Sequence, residues 1–109
     1  MIALIQQNVD AIRQLCERFG VRRLDLFGSA ASGTFAAHSD LDFLVDFADR
    51  SPGYAMRYLH LAEELESLLG RPVDLVTERS AHSPWFRDSI DQHKVNLYEA
   101  GDSQVAAVA

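Results

Sequence analysis

Residues 28–47 read GSAASGTFAAHSDLDFLVDF. The second half, LDFLVDF (41–47), is a short apolar run that predicts a strand. Two aspartates, Asp40 and Asp42, stand at its start. Side chains two residues apart on a strand point to one face. The two carboxylates are therefore neighbours, and one of them is expected to resist ionisation. The arrangement makes sense if something positive comes between them. The first half, GSAASGTFAAHS, is small and polar and predicts a loop with room for one helical turn.

Working upstream, Ile5, Val9, Ile12, Cys16 and Phe19 alternate at spacings of four and three. That is one face of an amphipathic helix over residues 2–18, stopped by Gly20. VRRLDLF (21–27) alternates and predicts a strand, with Val21, Arg23, Asp25 and Phe27 on one side and Arg22, Leu24 and Leu26 on the other. Asp25 is expected at the surface, paired with an arginine if with anything, and Asp46 is expected to be solvated.

Downstream, Pro52 and Gly53 mark a turn. Ala55, Leu59, Ala62, Leu65 and Leu69 form the stripe of a second helix over 54–69, ended by Gly70. PVDLVT (72–77) predicts a third strand. Ser83 and Pro84 suit the N-cap and first position of a further helix, and KVNLYEA a last strand. Residues 101–109 show no pattern and are expected to form a frayed tail to one domain over residues 1–100. The elements predict an α/β (α+β) fold, a small mixed β-sheet covered by helices. The short link between the first two strands favours an antiparallel pair.

Composition narrows the function classes. The chain has 109 residues, 48% of them apolar, and a net charge of −6. An acidic chain argues against direct nucleic-acid binding but not against a nucleotide held through a metal ion. The lone Cys16 excludes an internal disulfide and a multi-thiolate metal site. No signal peptide and no membrane span are expected, which suits a cytoplasmic protein.

Gly28 and Ser29 follow directly on a strand. A glycine there lets a ligand approach the backbone, and the serine adds a hydroxyl and an N–H, so the junction can hold phosphate oxygens. Gly33 adds a second flexible point. No Gly-Lys-Ser/Thr follows, so this is not a Walker loop. Alone, the loop reads equally well as an ordinary turn, and Asp40 as a turn residue. Asp42 sits inside an apolar run, as does Asp74 in RPVDLVTE, although Asp74 also reads as a strand-edge residue on an exposed face. If the third strand lies beside the second, Asp74 completes a three-carboxylate cluster. Such a cluster suits Mg²⁺ and can hold two ions about 4 Å apart for an in-line phosphoryl or nucleotidyl displacement.

Other residues have plainer readings. His38 and His60 are expected to be solvated. His82 and His93 flank the last helix without zinc-ligand spacing. Trp85 and Phe86 default to core packing, with a partner interface as the sharper alternative for them. Tyr54 and Tyr58 share a helix face and are expected to pack.

Gly28-Ser29, ten residues, then Asp40-Leu41-Asp42 resembles the signature of the DNA-polymerase-β-like nucleotidyltransferases. GRPVDLVTERS, the leading helix and NLYEA make the chain similar to the minimal (MNT or MntA-type) nucleotidyltransferases over about residues 2–100. The resemblance implies the nucleotidyltransferase core fold. It implies Asp40 and Asp42 as metal ligands and Asp74 as the third catalytic carboxylate, base or metal partner. Gly28 and Ser29 would bind the triphosphate of ATP, with Mg²⁺ as cofactor. Such proteins are often encoded beside a HEPN-domain ribonuclease toxin, and as antitoxins transfer AMP from ATP to a tyrosine of it. Many relatives carry arginine where this chain has Ala30 and Ser32, a departure that bears on rate or ATP affinity. The alternative reading is therefore an inactive nucleotidyltransferase-fold antitoxin that neutralises its partner by binding. The oligomeric state is left open.

Overall fold

The computed structural model of the chain describes residues 3–32, 40–48, 53–78, 80–81 and 83–100, with the side chains of Ser29 and Ser32 outside the description. Helix α1 spans Ala3–Arg18, strand β1 Val21–Phe27, a single turn α2 Ser29–Ser32 and strand β2 Leu41–Phe47. Helix α3 spans Tyr54–Leu69, strand β3 Val73–Thr77, helix α4 Pro84–His93 and strand β4 Val95–Glu99. The strands form one mixed sheet in the order β3-β2-β1-β4. β1 is antiparallel to both β2 and β4, and β2 is parallel to β3. The α3 crossover provides the connection that a parallel pair requires.

The two faces of the sheet carry two apolar clusters. Leu24 and Leu26 of β1, Leu41, Phe43 and Val45 of β2, and Leu75 of β3 turn to one face. There they meet Ile5, Ile12 and Cys16 of α1 and Leu61, Leu65 and Leu69 of α3. On the other face Phe27, Leu44, Ala81 and Ile90 form a smaller cluster under α4. Burial pushes the Cys16 thiol up to about 12, so it is an inert apolar residue of the core.

Several sequence expectations change. The stripe of α3 runs through Tyr54, Tyr58, Leu61, Leu65 and Leu69, while Leu59 is 49% exposed. Leu59 and Ala55 fall outside because the helix centres its contact on the two tyrosines: Tyr54 packs edge-on against Phe47, and Tyr58 donates to the Leu75 carbonyl of outer strand β3. Val21 joins Leu24 and Leu26 on the main face, because a bulge between Val21 and Arg23 resets the alternation. The extra residue, Arg22, ion-pairs with Asp46, so Asp46 is a paired carboxylate and not merely solvated. Trp85 is 81% exposed, whereas Phe86 packs against Phe27 in the smaller cluster. Ser83 holds the N-cap position with Pro84 in the first turn, but its side chain makes no capping bond.

The outer strands are covered in part. Besides the Tyr58 bond, Glu66 accepts from the Val73 N–H of β3 at 3.1 Å. Arg13 donates to the Leu97 carbonyl of β4 at 2.9 Å. These bonds satisfy groups that an open sheet edge would present to another chain. No helix among the described residues is long and apolar enough to cross a membrane.

Candidate active site

On β2, Asp42 shares its face with Leu44 and opposes Phe27 of β1 in register. On the other side it lies directly beside Asp74 of β3, the two being register partners in the parallel pair. Asp40 precedes β2 and is exposed. The Leu41 N–H donates to the Pro72 carbonyl at 3.0 Å and holds the starts of β2 and β3 together. Asp74 is exposed on an outer strand, which accounts for a carboxylate in an otherwise apolar segment.

The electrostatics follow from this crowding. The Asp42 carboxyl is pushed up to about 6 by its own burial first, then by the charges of Asp74 and Asp40. One carboxylate of the set thus resists ionisation, as the sequence spacing predicts. Among the described residues no group of three or more acidic, histidine or cysteine side chains is closed into a metal cage. The three carboxylates are gathered within electrostatic reach at one end of the sheet. Hard oxygen donors held against mutual repulsion fit a divalent cation, which would remove the repulsion.

Gly28 closes the other side. It ends β1 with φ +71°. A Cβ built there would run into Asp42 Oδ2 and stand 3.2 Å from its Cγ. The position needs glycine twice over, for its left-handed backbone and for the space Asp42 occupies. The Ala31 N–H returns to the Gly28 carbonyl at 3.2 Å as α2 begins. The one helical turn expected in the loop is α2. Gly33, His38 and His82 lie outside the described residues. Ala30 is fully buried in the main cluster. Of the two positions where the resemblance leads one to expect arginine, Ala30 therefore faces the core, and the side chain of Ser32 lies outside the described residues.

Asp25 was expected at the surface and is 1% exposed. It accepts from Arg23 Nε at 3.0 Å and Asn96 Nδ2 at 2.9 Å. The arginine pairing holds, but the burial overturns the surface reading: Arg23 and Asn96 of β4 close over the carboxylate. The legible signal was that Asp25 alternates with Phe27, so it shares a face that had to be covered.

Beside Gly28, on the α4 side, a cleft of about 210 Å³ opens between the end of β1 and α4. Sequence reading missed it, because only the packing of α4 on β1 creates it.

A group of carboxylates that can hold divalent cations suits phosphoryl or nucleotidyl displacement. The chain belongs to the nucleotidyltransferase family: the family described as Nucleotidyltransferase domain matches residues 10–98. It is similar to the protein adenylyltransferase MntA of Thermococcus cleftensis, with 45% identity over 88 residues, covering 76% of this chain and 87% of that protein. It is also similar to a toxin–antitoxin crystal structure with AMP-PNP, at TM-score 0.68 and 31% identity, covering 93% of this chain and 82% of that one. A third likeness is to the complex of a tri-AMPylated Shewanella oneidensis HEPN toxin with its MNT antitoxin. There the TM-score is 0.61 and the identity 26%, covering 93% of this chain and 77% of that one.

Proposed function

We propose that this protein transfers AMP from ATP to a tyrosine hydroxyl of a partner HEPN-type ribonuclease toxin in the cytoplasm, and so acts as its antitoxin. The observation that carries the reading is the in-register pair Asp42–Asp74 beside Gly28, with the Asp42 carboxyl raised to about 6. The relatives named above supply the substrate and partner classes.

In this reading Asp40 and Asp42, with Asp74 as base or metal partner, would hold Mg²⁺, which when bound would neutralise phosphate charge and make the attacking hydroxyl more acidic. Gly28 and Ser29 bind the phosphate oxygens of ATP. Where it acts as the base, Asp74 receives the proton of the attacking tyrosine hydroxyl. The oxygen–phosphorus bond to the α-phosphate forms as the bond to pyrophosphate breaks, and pyrophosphate leaves. The modified tyrosine gains phosphate charge, which repels RNA from the toxin.

The test is an intact-mass spectrum of the HEPN-type protein encoded beside this one, after incubation with this protein, ATP and Mg²⁺. The expected result is a gain of one or more AMP units, lost with Asp42→Asn while the complex still forms. A stable complex with no mass gain, and full protection of cells by the Asn variant, would establish neutralisation by binding instead.

A further inference from the structure

Helix α4 carries the chain from β3 to β4, the two outer strands, so it crosses the sheet on the face of Leu44 and Phe27. That is also the face of the carboxylates. Asp42 alternates with Leu44, and Asp74 with Val76, which packs against the same cluster. The acidic site and α4 therefore share one face of the sheet.

The two flanks of α4 differ. Phe86 and Ile90 point to the sheet. At about 3.6 residues per turn, Arg87, Asp91 and Lys94 fall on one flank. There Arg87 reaches Glu78 at 2.6 Å and Asp91 at 3.5 Å, and Lys94 reaches Asp91 at 2.9 Å. Glu78 follows the end of β3, whereas Asp74 lies near its start, so this flank faces away from the site. Ser89, Gln92 and His93 fall on the other flank and line the cleft beside Gly28. Trp85 stands on that second flank, one turn ahead of Ser89. It is 81% exposed and is the one tryptophan of the chain.

A lone exposed apolar side chain is ordinary on a protein surface. Position gives this one a meaning. A protein that brings an acceptor hydroxyl to Asp42 and Asp74 has to rest on the surface around them, and this flank belongs to that surface. Charge points to the kind of protein. Asp88 is exposed and three residues from Trp85, where helix neighbours meet. Asp40 and Asp74 are exposed too, and the chain carries a net charge of −6. Such a surface suits a basic partner, and a ribonuclease is basic where it holds RNA. An arginine or lysine of that partner can lie over the indole and pair with Asp88.

We propose that Trp85 anchors the surface on which the acceptor protein docks, with Asp88 as its charged neighbour. The inference rests on the AMP-transfer reading and deepens it by assigning part of the partner's footprint.

The test uses the whole chain and the HEPN-type protein encoded beside it. With 5-fluorotryptophan in this chain alone, Trp85 gives a single fluorine resonance. It should shift on adding the partner and stay in place with a non-hydrolysable ATP analogue and Mg²⁺. Trp85→Ala should weaken the complex at least tenfold by calorimetry. It should raise the KM for the partner as much, with kcat at saturating partner, ATP-analogue affinity and Tm unchanged. Trp85→Phe should recover part of the loss. Asp88→Lys should weaken the complex at low salt and lose its effect at about 0.5 M salt. A complex that Trp85→Ala leaves at full strength overturns the proposal, and AMP transfer by that variant at unchanged KM leaves the enzymatic reading standing. A resonance that moves with the ATP analogue alone would assign Trp85 to the nucleotide. One that moves with the concentration of this protein alone would assign it to a second copy. Either result overturns the proposal. A complex that depends on Trp85 but transfers no AMP upholds the docking surface and overturns the enzymatic reading.

Discussion

Replacing Asp42 by asparagine should make the metal-free protein more stable while removing its activity. The reasoning starts from a carboxyl whose ordinary value of 3.8 is pushed up to about 6 by burial and two neighbouring charges. The folded protein therefore binds the Asp42 proton more tightly than the unfolded chain does. Between pH 3.8 and 6 the folded state carries more protons, so stability falls as pH rises through that window. Above it, the full penalty of an ionised Asp42 is present. At about 1.4 kcal/mol for each pH unit between the two values, the ceiling is about 3 kcal/mol. Asp42 is partly exposed, so solvent screening reduces this to about 1–2 kcal/mol. Asparagine keeps the shape and drops the charge. In EDTA at pH 7 it should raise Tm by about 4–16 °C, at 4–8 °C per kcal/mol for a domain near this size. The gap should narrow as pH is lowered toward 4. Adding Mg²⁺ should narrow it from the other side, by stabilising wild type alone. An Asn variant no more stable than wild type in EDTA at pH 7 would refute the account of Asp42 as a strained carboxylate.

Three further outcomes follow from the same geometry. Gly28→Ala should cost about 1–2 kcal/mol from its left-handed backbone alone, and displacement of Asp42 should lower AMP transfer by about a hundredfold; thermal melts and the mass assay read the two effects. Asp25→Ala should cost about 2–4 kcal/mol in urea unfolding, because it strips Arg23 and Asn96 of a buried acceptor. Ala30→Arg should lower Tm by more than 5 °C, because Ala30 lies in the main core; an unchanged melt would show that the position can open to solvent.

How much of this was legible in the sequence depended on whether a signal was local. Every strand and the long helices could be read from alternation and helical spacing, because their buried faces repeat within the element. Asp40, Asp42 and Gly28 could be singled out for the same reason, since a few consecutive residues bring them to one strand start and one strand end. What failed was decided by contacts far along the chain. The bulge at Arg22 answers to the pairing with β2 and re-aims Val21, which strict alternation cannot foresee. The burial of Asp25 depends on Asn96, 71 residues away. The cleft exists only once α4 lies across β1. Trp85 shows the converse: its size argued for the core, yet the first turn of α4 leaves it outside.

The mixed sheet is itself what the site requires. Asp42 and Asp74 lie near the starts of their strands, and Gly28 follows the end of its own. Only a parallel β2–β3 pair brings two starts together, and only an antiparallel β1 brings its end to meet them. Register matters as much as direction, since a one-residue slip of β3 would turn Asp74 to the opposite face. β3 is an outer strand with one neighbour and so has little of its own to fix that register. The Tyr58 bond to the Leu75 carbonyl, the Glu66 bond to the Val73 N–H and the Leu41 bond to the Pro72 carbonyl flank Asp74 on both sides. Two of them come from α3, the crossover that makes the pair parallel. The helix that connects the two acidic strands therefore also holds Asp74 opposite Asp42, against the repulsion that raises the Asp42 carboxyl.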